Sequence, residues 1–154
     1  MHSHELELFA DYFQFYLQDE GADGDLSDAW TQEAVDRMFA VSEGVVGIGT
    51  IRNMPVPVTI EFHDSDPTPD WDSYDHVVEG SLILKSARIV VAGCTDYFPD
   101  AARFELAPGT YRVRLSSSGL DSLSEEGLDG QDRYRVQLWQ AATIEPTVLK
   151  RRAV

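Results

Sequence analysis

Residues 111–115, Tyr-Arg-Val-Arg-Leu, and residues 134–139, Tyr-Arg-Val-Gln-Leu-Trp, follow one design. Apolar and polar side chains alternate with period two, as in a strand with one buried face. Working outward, Val56, Val58, Ile60 and Phe62 alternate with Pro57, Thr59, Glu61 and His63 in the same way. Residues 9–17 (FADYFQFYL) read as a further strand, with Phe13, Phe15 and Leu17 on its core face. Residues 45–51 add one in which Gly47 and Gly49 leave room for a close neighbour. Residues 77–84, 88–91 and 103–106 supply three more. Pro108-Gly109 predicts a type II turn into the strand at 111. Ser116-Ser117-Ser118 then read as loop.

One helix is predicted, over 29–41, capped by Thr31 or Asp28 and ended near Gly44. Ala34, Val35, Met38 and Phe39 form its apolar stripe. Seven or eight short strands without βα alternation predict a mainly β fold, an antiparallel, jelly-roll-like β-sandwich with one helix in its N-terminal third. The length of 154 residues suits a single domain. Residues 1–5 and 147–154 are expected to fray, Lys150-Arg151-Arg152 among them. No apolar run is long enough to cross a bilayer and no leader pattern opens the chain, so a cytoplasmic address is expected.

The formal charge of -15 is unevenly placed. Segments 19–28, 61–79 and 121–132 hold 5, 7 and 5 of the 27 acids and no Lys or Arg. The remainder is close to neutral. Such segments can steer a basic partner, bind a cation or keep the protein soluble. Direct nucleic-acid binding is disfavoured, because phosphate contact needs a basic surface.

Catalytic patterns are missing. There is no G-x-S-x-G elbow, and Gly47-Ile48-Gly49 lacks the remainder of a phosphate-binding fingerprint. Paired carboxylates for glycoside chemistry require geometry to judge. Cys94 follows an apolar run and reads as a buried small hydrophobe. Residues 63–76 offer His63, Asp64, Asp66, Asp70, Asp72, Asp75 and His76, without the spacing of a helix-loop-helix calcium loop. Calcium or small-ligand binding by the acidic loops stays as an alternative. No cofactor is indicated.

Arg112, Arg114, Arg133 and Arg135 share one face if their strands pair. They predict cross-strand ion pairs with Glu61, Glu79 or Glu105, or else an anion site. Trp30 and Trp139 read as core or core edge. Trp71, between Asp70 and Asp72, does not. With Tyr74 it is a candidate contact anchor, or else folds back over its own loop.

The order of features resembles the competence protein J family over about residues 9–140. The likeness lies in Tyr12-Phe13-Gln14-Phe15, in Asp28-Ala29-Trp30-Thr31-Gln32-Glu33-Ala34, in Gly44, in Arg52-Asn53 and in Pro108-Gly109-Thr110-Tyr111. The resemblance implies a non-enzymatic inhibitor of a DNA-processing nuclease. No site residue is carried over from it. An acidic surface can mimic a phosphate array and block a basic groove. The expected function is therefore an acidic protein-binding module, inhibitor-like or immunity-like, for a basic partner such as a nuclease. The candidate contact residues are Asp66, Asp70, Trp71, Asp72, Tyr74, Glu125, Glu126 and Asp129.

Overall fold

The computed structural model describes residues 1–152. Two packed sheets make a sandwich. Strands are numbered in chain order. The six-stranded sheet runs β1 (His2–Phe9), β5 (Pro55–Phe62), β10 (Arg133–Gln140), β9 (Gly109–Ser118), β6 (His76–Leu84), β11 (Thr147–Lys150). The five-stranded sheet runs β3 (Phe39–Ser42), β4 (Val45–Gly49), β2 (Gln14–Asp19), β7 (Arg88–Gly93), β8 (Ala102–Glu105). Pairing is antiparallel except between β5 and β10, which run parallel.

The alternating segments do what their period requires. Val56, Val58 and Ile60 of β5, Tyr134, Val136 and Leu138 of β10, and Val113 and Leu115 of β9 point inward. They meet Phe15 and Leu17 of β2, Val46 and Ile48 of β4, and Ile89 and Val91 of β7. Two tyrosines, Tyr111 and Tyr134, bring hydroxyls into this core, and that of Tyr134 is bonded twice. The Tyr134 hydroxyl donates to Asp132 Oδ2 at 2.8 Å and accepts from the Ile51 amide at 2.9 Å. Burial pushes its pKa far up, so it remains a neutral phenol.

Several expectations need correction. The strand predicted at 9–17 is broken by a short 3-10 turn at Asp11–Phe13. Tyr12 and Phe13 there take φ of 59° and 60°. Phe13 is therefore 54% exposed rather than in the core. Each such left-handed residue costs about 1–2 kcal/mol outside glycine. The turn carries the chain from one sheet to the other, and the Phe13 carbonyl fixes it by accepting from the Thr50 amide at 2.9 Å.

The helix, α1, is shorter than predicted, Gln32–Arg37. Thr31 Oγ1 caps it, accepting from the Ala34 amide at 3.2 Å. Met38 turns left-handed at φ 62° and Phe39 enters β3 opposite Ile48. Full burial of Phe39 in the sheet outweighs another helical turn. Gly44, at φ 72°, serves the β3–β4 turn.

The chain ends also differ from expectation. β1 pairs with β5 from His2↔Phe62 to Phe9↔Pro55, and β11 lies along β6. Fraying at 153 and 154 lies outside the described residues. Ser116 and Ser117 are buried in β9, not loop, because β6 and β10 flank them on both sides. Pro108-Gly109 is no type II turn. Gly109 has φ 156°, and the chain there crosses from the β8 sheet to the other. Cys94 lies just past β7 and is exposed. Partial desolvation of its thiol, with Asp11 and Asp96 nearby, raises its pKa.

The close approaches expected at two glycines are real. A Cβ at Gly47 would lie 2.8 Å from the Trp30 ring and 2.9 Å from Leu26. At Gly49 it would meet Met38 Cα at 3.2 Å. Trp30 is fixed over this strand by its indole N–H, which donates to Gln14 Oε1 at 2.8 Å. Gly47→Ala is expected to overpack this contact and lower stability by about 1–3 kcal/mol. A fall in the urea midpoint with an unchanged slope would show it.

Candidate functional site

The outer face of the six-stranded sheet carries a row of polar side chains in register. Glu61 faces Gln137, Gln137 faces Arg114, and Arg114 faces Glu79. Arg114 is the buried centre, its side chain 2% exposed. Its Nε donates to Glu79 Oε2 at 2.7 Å. One Nη donates to Asp66 Oδ1 and the other to the Pro67 carbonyl, both at 2.8 Å. The guanidinium also lies 4.7 Å from the Trp139 ring centroid. Arg112 approaches Glu79 at 3.6 Å. The expected cross-strand ion pairing is thus found for Arg112 and Arg114, both with Glu79. Arg135 instead lies over the Tyr74 ring at 4.6 Å.

These contacts hold the acidic loop 63–75 down on the sheet. Asp66 and Pro67 anchor one part and Tyr74 another. Lys150 Nζ donates to the Trp71 carbonyl at 2.6 Å. At the loop's end the Asp75 amide donates to the Ser117 carbonyl at 2.8 Å, and Asp75 Oδ2 accepts from the Leu120 amide at 3.0 Å. That last bond joins loop 63–75 to loop 119–132. The second loop is fixed in turn by Arg52 Nε, 2.7 Å from the buried Asp132 Oδ1.

The candidate residues now divide. Asp66 and Tyr74 are committed to their own sheet. Trp71, 41% exposed, and the exposed Asp70 and Asp72 stand on the loop's outside. Glu125, Glu126 and Asp129 are exposed on the adjoining loop. Among the described residues, Asp64, Asp70, Asp72, Asp121, Glu125, Glu126 and Asp129 form no ion pair. The structure therefore joins the end of the second acidic loop, at Asp75, to the start of the loop that carries the third.

Asp19 and Glu20 of the first acidic segment stand apart. Asp19 accepts from the amides of Lys85 and Ser86, at 3.0 and 3.1 Å, and from the Ser86 hydroxyl. Burial would raise its pKa, but these donors outweigh that and hold it low. Lys85 follows β6, whose other end meets loop 119–132. The ends of that strand are roughly 26 Å apart at strand rise. Glu20 is also spent, paired with Arg103 at 2.7 Å.

His63 and His76 do not share a partner. His63 Nε2 lies 2.8 Å from Glu61 Oε1. His76 is fully buried, with Nε2 2.7 Å from the Arg37 carbonyl and Nδ1 3.3 Å from the Arg152 amide. Nε2 therefore donates and Nδ1 accepts, the neutral tautomer. No three His, Cys, Asp or Glu side chains among the described residues gather as a cation site would require. No helix among them is long and apolar enough to cross a membrane.

Sequence reasoning missed the aromatic turn. Tyr12 is 70% exposed beside Phe13, and nothing in Asp11-Tyr12-Phe13 announces a left-handed pair, since glycine and asparagine are absent.

These features define a two-sheet β-sandwich whose outer face carries its own acidic loop, held down by buried Arg114. No family model matches the chain, and neither does any curated protein. Solved structures do. ComJ from Bacillus subtilis, described as an inhibitor of the DNA-degrading activity of NucA, aligns with a TM-score of 0.68 at 18% identity. The alignment covers 92% of this chain and 96% of that one. A protein described as crocagin biosynthetic gene J aligns at 0.60 and 19% identity, over 92% and 100%. The chain thus shares the ComJ fold, as the sequence resemblance anticipated.

Two outcomes test this description. Arg114→Ala takes from the buried Glu79 its hydrogen-bonded cation and leaves it only Arg112 at 3.6 Å, and is expected to cost about 3–5 kcal/mol. Asp66, 62% exposed, is expected to cost under about 1 kcal/mol as Asp66→Asn, with faster amide exchange confined to loop 63–75. Equal losses for the two would refute the clamp. The buried His76 makes stability depend on pH. Desolvation lowers its pKa, the Arg37 carbonyl partly opposes this, and Arg151 and Arg152 add to the lowering. The unfolded chain then binds more protons below about pH 6.5. Stability is in place above that pH and declines as pH falls through it. His76→Gln, which retains a donor and an acceptor, is expected to flatten the urea midpoint between pH 8 and pH 5.

Proposed function

We propose that this chain is a non-enzymatic, protein-binding inhibitor that presents an acidic face to a basic partner, with a nuclease the class that fits best. One observation carries the reading. The Asp75–Leu120 bond joins the two acidic loops at their bases, and the exposed carboxylates of both, with the exposed Trp71, are the surface proposed to meet the partner. Carboxylates arrayed on fixed loops offer a nuclease groove the charge pattern it holds for phosphate. The cytoplasm is the expected setting.

The likeness to ComJ supports the inhibitor class, because ComJ inhibits the DNA-degrading activity of NucA. The one exposed thiol has a raised pKa, and the buried ion pairs are consumed in holding the loop.

The test is capture from the cells' own lysate on immobilised protein, at low and at high salt. A basic protein retained at low salt and released at high salt is expected, since screening removes steering. Asp70→Asn/Asp72→Asn should slow association and flatten the salt dependence. Trp71→Ala should speed dissociation by about tenfold or more. If the captured protein is a nuclease, its DNA cleavage should fall in proportion to occupancy. A blank at low salt refutes the reading.

A further inference from the structure

Arg133 and Arg135 have no anionic partner in a chain that carries 27 acids against 12 bases. Alternation along β10 sends Tyr134 and Val136 into the core and leaves the two arginines on the outer face of the six-stranded sheet. In register, Arg133 lies opposite Ser118 of β9 and Arg135 opposite Thr59 of β5. Among the described residues neither arginine forms an ion pair or a side-chain hydrogen bond, and Arg135 Nε is buried without a partner. The Tyr74 ring covers one face of the Arg135 guanidinium at 4.6 Å. A stacked ring leaves the donors in the guanidinium plane unused. Donors taken from water and left unpaired are costly.

Both arginines line one cavity of about 210 Å³. Thr59, Ser73, Tyr74 and Ser118 line it with them, each a hydroxyl residue, and among the described residues no carboxylate does. Burial raises the pKa of the Tyr74 hydroxyl, while Arg135 and Arg133 pull it down and Asp70 and Glu61 push it up. Of those two acids, Glu61 already faces His63 and Gln137, at 2.8 and 3.1 Å, and Asp70 is exposed. The volume falls below the roughly 300–1,000 Å³ of sites for drug-sized ligands, so a small ion or group is what fits. Two guanidiniums about 7 Å apart along a strand, with hydroxyls on the strands to either side, offer donors in more than one plane. A tetrahedral oxyanion supplies acceptors in that arrangement; a planar carboxylate does not.

We infer that this cavity binds a phosphate group, held between Arg133 and Arg135 with hydroxyl donors around it. At -15 the chain as a whole repels anions, so binding comes from contact at the site and not from steering. A nucleic acid would meet that whole field; a single phosphate meets only the cavity. The inference is independent of the partner proposed for the acidic loops.

Inorganic phosphate tests it, titrated at constant ionic strength with chloride as the balancing anion. Saturable NMR shifts of the Ser73, Tyr74, Ser118 and Arg135 amides are expected. A capped Gly-phosphoserine-Gly tripeptide is titrated in parallel. Tighter binding of the tripeptide assigns the cavity to a phosphorylated chain, and tighter binding of inorganic phosphate assigns it to the free ion. Arg133→Gln, at an exposed position, should weaken the preferred probe about tenfold or more and leave the thermal midpoint unchanged. Arg133→Lys should recover only part of that loss, because it restores the charge without the planar fork. Arg135→Gln should weaken binding independently. Shifts that chloride alone reproduces overturn the inference, as does an absence of saturation by either probe. An affinity that survives both glutamine variants overturns it as well.

Discussion

The buried guanidinium of Arg114 is the constraint around which the six-stranded sheet is arranged. Taking such a charge out of water costs several kcal/mol unless every donor finds an acceptor. Glu79 on the neighbouring strand supplies one acceptor. Asp66 and the Pro67 carbonyl, from the loop, take the guanidinium's two Nη groups. The row Glu61–Gln137–Arg114–Glu79 also fixes register across four strands. A slip of one residue would turn Arg114 into the apolar core. One interaction thus sets strand alignment, loop position and the shape of the acidic end.

This division of labour changes what the negative charge means. Asp19, Glu20, Glu61, Asp66, Asp75, Glu79 and Asp132 are structural, each answered by a cation, an amide or a side-chain donor. Of the carboxylates left over, Asp64, Asp70, Asp72, Asp121, Glu125, Glu126 and Asp129 stand on loops 63–75 and 119–132, while Glu5, Glu7, Asp23, Asp28 and Glu33 are among those exposed elsewhere. A surface of this kind is positioned by its own scaffold before any partner arrives, which favours rapid, salt-sensitive association. ComJ shares the fold across nearly the whole chain at 18% identity.

The sandwich was legible wherever one face of a strand is buried and the other is not. Residues 56–62, 111–115 and 134–139 declare themselves by alternation alone. The ion pairs of Glu79 were legible for the same reason, since alternation places charges on a common face. Long-range decisions were not legible. Met38 leaves the helix because Phe39 is needed in the sheet, and Ser116 and Ser117 become strand because neighbours exist on both sides. Residues 2–9 alternate, but their polar partners resemble a tail until β5 is seen alongside. The union of two acidic loops depends on one amide and one carboxylate 45 residues apart. No local pattern encodes that distance.

The parallel joint between β5 and β10 has a consequence for how the molecule comes into being. Val58 pairs across to Tyr134, and β9 lies beyond β10 in the sheet order. Emerging from the ribosome, β1 and β5 can form a pair early, while β10, the strand that connects them to the rest, arrives after every other strand but β11. Until residue 140 has been made, β5 presents an open edge with Val56, Val58 and Ile60 uncovered. Closure of so many distant pairs is slow by nature. During that interval the acidic segments lie in the nascent chain without their structural cations, and their mutual repulsion holds unfinished chains away from one another.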